Sequence, residues 1–204
     1  MATPPHEIGT TRYTLVEQIK DVFIDTIRQA FSRHEIYKYV PNEKGAPDLE
    51  NSEIIITDTY STESKFLPAV VVQFAGGKNM PVAMNQNFGQ HRANEEGVEF
   101  YKWNGGWDSN ITAIVAAEDT VAREELASFV SMLFMHWKRL ELIEKGVFIK
   151  SVSINGEYEE PYANDYIYFA NVSIEIYTEW EARIPVEDPL ESINYDVGLV
   201  GTLN

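Results

Sequence analysis

Cysteine is absent from the chain, and its absence excludes a disulfide framework, a thiolate nucleophile and every cysteine-ligated zinc or iron–sulfur site. Long apolar runs are absent too, since no stretch nears the roughly 18 residues a membrane-spanning helix needs. The opening M-A-T-P-P-H-E-I-G lacks the basic, apolar, small-residue order of a secretory signal. A soluble protein made in a cytoplasm is therefore expected. Positive charge is scarce: 16 basic residues stand against 32 acidic ones, for a formal net charge of −16. Such a chain repels nucleic-acid phosphates at long range, which argues against a DNA-gripping or sequence-reading role. Plain solubility is the simpler use of the same acids.

Recognisable catalytic patterns are lacking as well. His6, His34, His91 and His136 stand in no spacing that a helix or strand would turn into a metal site. Asp48, Glu63 and Lys65 formally match the PD-(D/E)xK nucleases, whose carboxylates hold a divalent metal while the lysine assists a water. Here, however, S-T-E-S-K lies in a polar turn ahead of Pro68, so the match is weak. Glu118, Asp119, Glu124 and Glu125 cluster where a helix starts, which the helix dipole explains without acid–base chemistry. Gly76-Gly77-Lys78 and Gly105-Gly106 lack the spacing of a phosphate cradle and read as turns. No catalytic, cofactor-binding or metal-ligating residue is assigned.

What the sequence does contain is an alternation of helical and strand periods over 204 residues, 44% of them apolar, enough for one domain with a real core. Residues 1–10 read as disordered. A helix follows from a capping box at Thr14 to Glu17 and runs to about Arg33, with Leu15, Ile19, Val22, Phe23, Ile27, Ala30 and Phe31 on its buried face. Extended segments are predicted at Glu35–Val40 and Glu53–Tyr60. The run A-V-V-V-Q-F-A after Pro68 reads as a central strand covered on both faces. Residues 76–97 read as a long polar loop.

Val98–Trp103 and Ile111–Ala117 flank Gly105-Gly106 as an antiparallel hairpin. A long helix follows, capped by Asp119 or Thr120 and ended by Gly146. Its apolar stripe comprises Leu126, Phe129, Val130, Leu133, Phe134, Trp137 and Leu140. Val147–Ile154, a turn at Asn155-Gly156 and a strand from about Tyr166 to Trp180 complete the expected order, α-β-β-β-β-α-β-β. The expected fold class is α+β: a mixed, mostly antiparallel sheet with two long helices packed on one face. The domain should span residues 11–182, with 183–204 an extended tail. Trp103, Trp107, Tyr158, Tyr162, Tyr166 and Trp180 fall at turns or strand ends, positions that suit protein interfaces as well as core edges.

The amphipathic first helix, L-P-A-V-V-V-Q-F, I-T-A-I-V-A-A-E-D, R-E-E-L-A-S-F-V-S-M-L-F and G-V-F-I-K-S-V-S-I-N-G-E together resemble the tail terminator, or tail completion, proteins of long-tailed bacteriophages. The resemblance is one of element order over about residues 11 to 180, and neck or head-completion proteins share it. It implies a structural virion protein with no catalytic residue: a ring, typically a hexamer, assembled in the host cytoplasm. Such a ring caps the tail tube, meets the neck and, in contractile-tailed relatives, the last sheath ring, while DNA passes unbound through its lumen. A carboxylate-lined lumen would let the duplex slide. Ring closure needs two different faces per subunit. The loop at 76–97 and the tail at 183–204 are the expected contact segments, with Met84, Phe88, Arg92, Glu95, Trp103, Trp107, Ile193, Tyr195 and Leu199 as interface candidates.

Overall fold

The structure is a computed structural model that describes residues 15–43, 47–59, 67–80, 91–95, 98–162, 165–185 and 194–197. Its first helix, α1 (Leu15–Phe31), forms because Ile19, Phe23, Ile27 and Phe31 recur at steps of four and give one apolar stripe, all of it buried. Thr14 of the expected cap lies outside the described residues. Strands β1 (Ile55–Thr57), β2 (Ala69–Met80), β3 (His91–Glu95) and β4 (Val98–Ala117) follow. Helices α2 (Thr120–Met132) and α3 (Arg139–Glu144) are joined by a π-turn at Leu133–Trp137, and β5 (Val147–Tyr162), β6 (Asp165–Pro185) and β7 (Asn194–Val197) come last.

These strands form one seven-stranded sheet in the order β1-β2-β4-β6-β5. β1 runs parallel to β2 and every other pairing is antiparallel. β3 continues the lane of β2 along β4, and β7 continues the lane of β5 along β6. The fold is thus α+β with a mostly antiparallel mixed sheet, as expected. Alternation decides the layering: Val70 and Val72, Ile111, Ala113 and Val115, and Ala170, Val172, Ile174 and Ile176 share one core with the helices. Phe23 of α1 meets Phe134 of the π-turn there at 5.0 Å. Each fully buried Ile or Phe contributes about 1.5–3 kcal/mol over leaving it in water. A smaller cluster that includes Ala69, Ala116, Ile167 and Phe169 gathers on the opposite face.

Several local readings are corrected. Gly105-Gly106 is no turn: β4 runs straight through it, with Gly105 opposite Trp180 and Gly106 opposite Glu179. The glycine is needed there because the ring of Tyr177 occupies the space a Cβ on Gly106 would take. Asn155-Gly156 is a bulge inside β5, where Gly156 takes φ 62° and the register shifts. Gly76, at φ 136°, is likewise a bulge within β2 and not a turn. Residues 35–40 form no strand. They make an irregular connection in which the Ser52 hydroxyl accepts from Val40 N–H at 2.9 Å and donates to Val40 C=O at 2.8 Å. β2, by contrast, is an interior strand as expected, between β1 and β4, with Ala69, Val70, Val71 and Val72 all buried. Finally, residues 76–80, 91–95, 183–185 and 194–197, expected as loop and tail, are strands of the chain's own sheet.

Candidate functional site

Leu126, Val130, Leu133 and Phe134 keep the expected buried stripe of α2. Beyond them the backbone takes one extra residue into the turn, so that Lys138 N–H donates to Leu133 C=O at 2.9 Å, an i→i−5 bond. One inserted residue rotates everything after it by about 100° at 3.6 residues per turn. Leu142 therefore becomes fully buried, whereas Trp137 is 57% and Leu140 76% exposed. This overturns the expectation that Trp137 and Leu140 face the sheet.

Trp137 leans back onto Phe129, edge to face at 5.4 Å. Phe129 in turn meets Phe31 at 4.8 Å and His34 at 4.6 Å. The His34 ring is fixed by its own loop: Nδ1 accepts from the N–H groups of Ile36 at 3.3 Å and Tyr37 at 3.1 Å. In the neutral ring the proton is thereby assigned to Nε2. The loop holds Ile36 out into solvent, beside a pocket of about 340 Å³ lined by Ala30, Arg33, His34, Glu35, Ile36 and Phe129. Met132 and Met135 add exposed thioethers on the same helical segment. Large exposed apolar side chains close together in the chain suit an interaction surface, and Trp and Met are the types enriched at interfaces.

The charges of this segment are largely paired within it. From Phe129 to Gly146 the chain carries Lys138, Arg139 and Lys145 against Glu141 and Glu144, a small positive excess in a strongly acidic molecule. The Lys138 ammonium, with Lys145 at 3.1 Å, holds the Glu141 carboxyl below its usual range. Arg139 donates to Ile149 C=O at 3.3 Å and ties α3 to β5.

At the opposite end of the sheet, β5 and β6 run on past the end of β4, whose last partner is Tyr168. They continue as a two-stranded ribbon, pairing through Tyr162 and Asp165. The wider stretch from Gly156 to Tyr168, of which the ribbon is the end, holds Glu157, Glu159, Glu160, Asp165 and four tyrosines, with no basic residue. Arg123 of α2 pins its base by donating to Glu157 at 3.0 Å, and Tyr158 stacks on Phe169 at 4.9 Å. Tyr158 and Tyr166 are both exposed.

Outside the cluster of Ala69, Ala116, Ile167 and Phe169, the helix-free sheet face carries polar side chains paired with one another. Lys150 bonds both oxygens of Asp108 at 2.8 and 3.0 Å, Ser173 donates to Asn110 at 3.0 Å, and Ser151 donates to Glu175 at 2.9 Å.

Of the interface candidates, Met84, Phe88, Ile193 and Leu199 lie outside the described residues. Arg92 and Glu95 sit on β3, opposite Tyr101 and Val98. Trp103 and Tyr195 both pair with Ala182, which puts β4, β6 and β7 in one rung. Trp107 turns inward: its indole lies over Gly77 and packs against the main core. Asp119 caps α2 by accepting from Ala122 N–H at 2.8 Å. Asp48 is occupied in a turn, accepting from Glu50 N–H and the Asn51 amide, while Glu63 and Lys65 lie outside the described residues. Among the described residues no group of three His, Asp or Glu could hold a metal, and no helix is long and apolar enough to cross a membrane. Sequence reading missed the π-turn surface, although the two leucines at 140 and 142 already offered two alternative stripes. No protein-family model matches the chain, and no curated protein matches it either.

Proposed function

We propose that this chain is a structural assembly protein that works beside copies of itself as a ring, capping the tail tube of a long-tailed phage and meeting the neck. The observation that carries the reading is the apolar surface at the π-turn. A polypeptide of net charge −16 repels its own copies, yet it exposes Met132, Met135, Trp137 and Leu140 along one helical segment, and Ile36 on the loop beside Phe129. Such a surface suits a partner that removes it from water, at roughly 25 cal/mol per Å² of apolar area. The acid surplus suits a lumen through which DNA slides without sticking. A ring closes only through a heterologous contact, and the molecule has two unlike surfaces at its two ends.

Electron microscopy of tails assembled without this protein tests the reading. Over-long, headless tails are the expected result. Headless tails of normal length would point to a neck connector instead, and normal headed tails would overturn the assembly role.

A further inference from the structure

We infer that the outer edge of β5 pairs with the same edge of a second copy, antiparallel about a two-fold axis at Ser153, so that two sheets join into one. Such a contact is isologous, whereas ring closure is heterologous, so it goes beyond the ring reading and does not depend on it.

The sheet has two edge strands, and they are finished differently. β1 has three residues, and its Ile55 N–H bonds Pro68 C=O on the β2 side at 3.0 Å, so the polar groups of Ile56 point outward. There the Ile56 C=O accepts from the Arg28 guanidinium at 3.1 Å, and that guanidinium lies 5.5 Å over the Tyr39 ring. The β1 edge is thus closed by its own chain. β5 is 16 residues long and ends the strand path, with no strand on its outer side among the described residues. Arg139 takes the Ile149 carbonyl just before a bulge at Lys150, and a second bulge follows Asn155. Between the bulges Ser151 to Asn155 pair regularly with Glu175 to Asn171, and Ser151, Ser153, Ile154 and Asn155 are exposed. An exposed row of unpaired backbone N–H and C=O groups is a template for a further strand.

Charge and side-chain order select a second copy as that strand. The chain holds 32 acidic residues, yet from Gly146 to Gly156 its one charged residue is Lys150, whose ammonium is bonded to Asp108. Two molecules of net charge −16 meet at least cost where neither presents its acids. In antiparallel pairing about Ser153, Val152 of one copy stands opposite Ile154 of the other, and Ser151 opposite Asn155. Val152 and Ile154 share the helix-bearing face with their β6 partners Ile174 and Val172, and the polar three share the other face. Apolar therefore meets apolar and polar meets polar. Ile154, 41% exposed in the single chain, gains a cross-strand neighbour.

The chain has no cysteine, so introduced thiols report this pairing alone. Ser151→Cys, Ser153→Cys and Asn155→Cys are made as separate full-length variants and held in a glutathione redox buffer. Opposed residues of an antiparallel pair have Cα atoms about 4.5–5.5 Å apart, within disulfide reach. Two copies of residue 155 would instead stand about 13 Å apart along the strands, four residues at about 3.3 Å each. Disulfide dimers from Ser153→Cys alone, and from Ser151→Cys mixed with Asn155→Cys, are the expected result, with none from either of the last two alone. Equal cross-linking in every sample, or none from both Ser153→Cys and the mixture, overturns the pairing. Tails assembled without this chain judge the ring separately: normal headed tails sink the ring and leave the β5 dimer standing.

Discussion

At the scale of single residues, the end of the core around Trp107 is packed tightly but not fully hydrogen-bonded. The Trp107 indole fills the space that a Cβ on Gly77 would need, which ties that glycine to close packing. The buried Trp107 Nε1, Ser109 Oγ and Thr178 Oγ1 have no hydrogen-bond partner. Trp107 and Thr178 face each other across β4 and β6. A buried hydroxyl that makes no bond carries a desolvation cost, and Val has nearly the shape of Thr without it. Thr178→Val is therefore expected to raise stability by about 1 kcal/mol, read from the urea midpoint at unchanged slope. A fall would show that the hydroxyl is bonded, most simply to a trapped water. Glu141 behaves oppositely, because Lys138 and then Lys145 stabilise its charged form and lower its pKa below the ordinary value of about 4.5. A depressed carboxylate contributes stability that is whole above the unfolded value and lost as pH falls through the folded one. Glu141→Gln should thus be less stable than the parent at pH 7 by under about 1 kcal/mol, since the pair is partly exposed. Thermal unfolding should show that gap constant down to about pH 4.5 and closing below it; a gap that widens on acidification would refute the assignment.

At the scale of elements, the π-turn is the feature with the sharpest consequence. A regular helix would bury Trp137 and leave Leu142 outward, whereas the inserted residue buries Leu142 and exposes Leu140. Leu142→Ala should cost about 2–5 kcal/mol as a cavity-forming change, and Leu140→Ala should stay within about 0.5 kcal/mol. Urea unfolding of the two variants decides between the registers, and a reversed order would mean the helix is regular. The same element shows what the sequence could disclose. Its start and stop were legible because Asp119 and Gly146 act through local chemistry, a side-chain cap and a φ of 78°. The stripe through Phe134 was legible from its period. The π-turn was not, because L-F-M-H-W carries no local mark of the insertion and its reward, the burial of Leu142, depends on tertiary packing. Gly105-Gly106 misled for a related reason: glycine serves a turn or a close contact equally well, and only Tyr177, 71 residues beyond Gly106 in the chain, says which. Asn155-Gly156 carried a true signal for positive φ, spent on a bulge instead of a turn. The β3 and β7 segments look too polar for strands, yet β4 and β6 offer them edges, and backbone pairing asks little of side chains.

At the scale of the whole molecule, two electrostatic effects of opposite sign act on any contact between copies. Each copy carries a net charge of −16, so approaching copies repel through the summed field before any surface touches. Attraction between opposite charges across a contact acts only at contact distance, where burial limits screening, and the apolar part of the contact barely senses salt at modest concentration. The Debye length is about 10 Å at 0.1 M salt and about 30 Å at 0.01 M, so added salt removes the long-range repulsion first. Self-association is therefore expected to strengthen as sodium chloride rises from about 0.01 M to 0.1 M, the range over which that length shortens threefold. Sedimentation velocity at fixed protein concentration reads this directly as a shift toward the larger species. Association that weakened steadily over the same range would mean that exposed ion pairs, not the Trp137 and Leu140 surface, hold the copies together. In that case the charge-reversed pair Lys138→Glu with Arg139→Glu should abolish association while Trp137→Ala leaves it intact, the reverse of what an apolar contact requires.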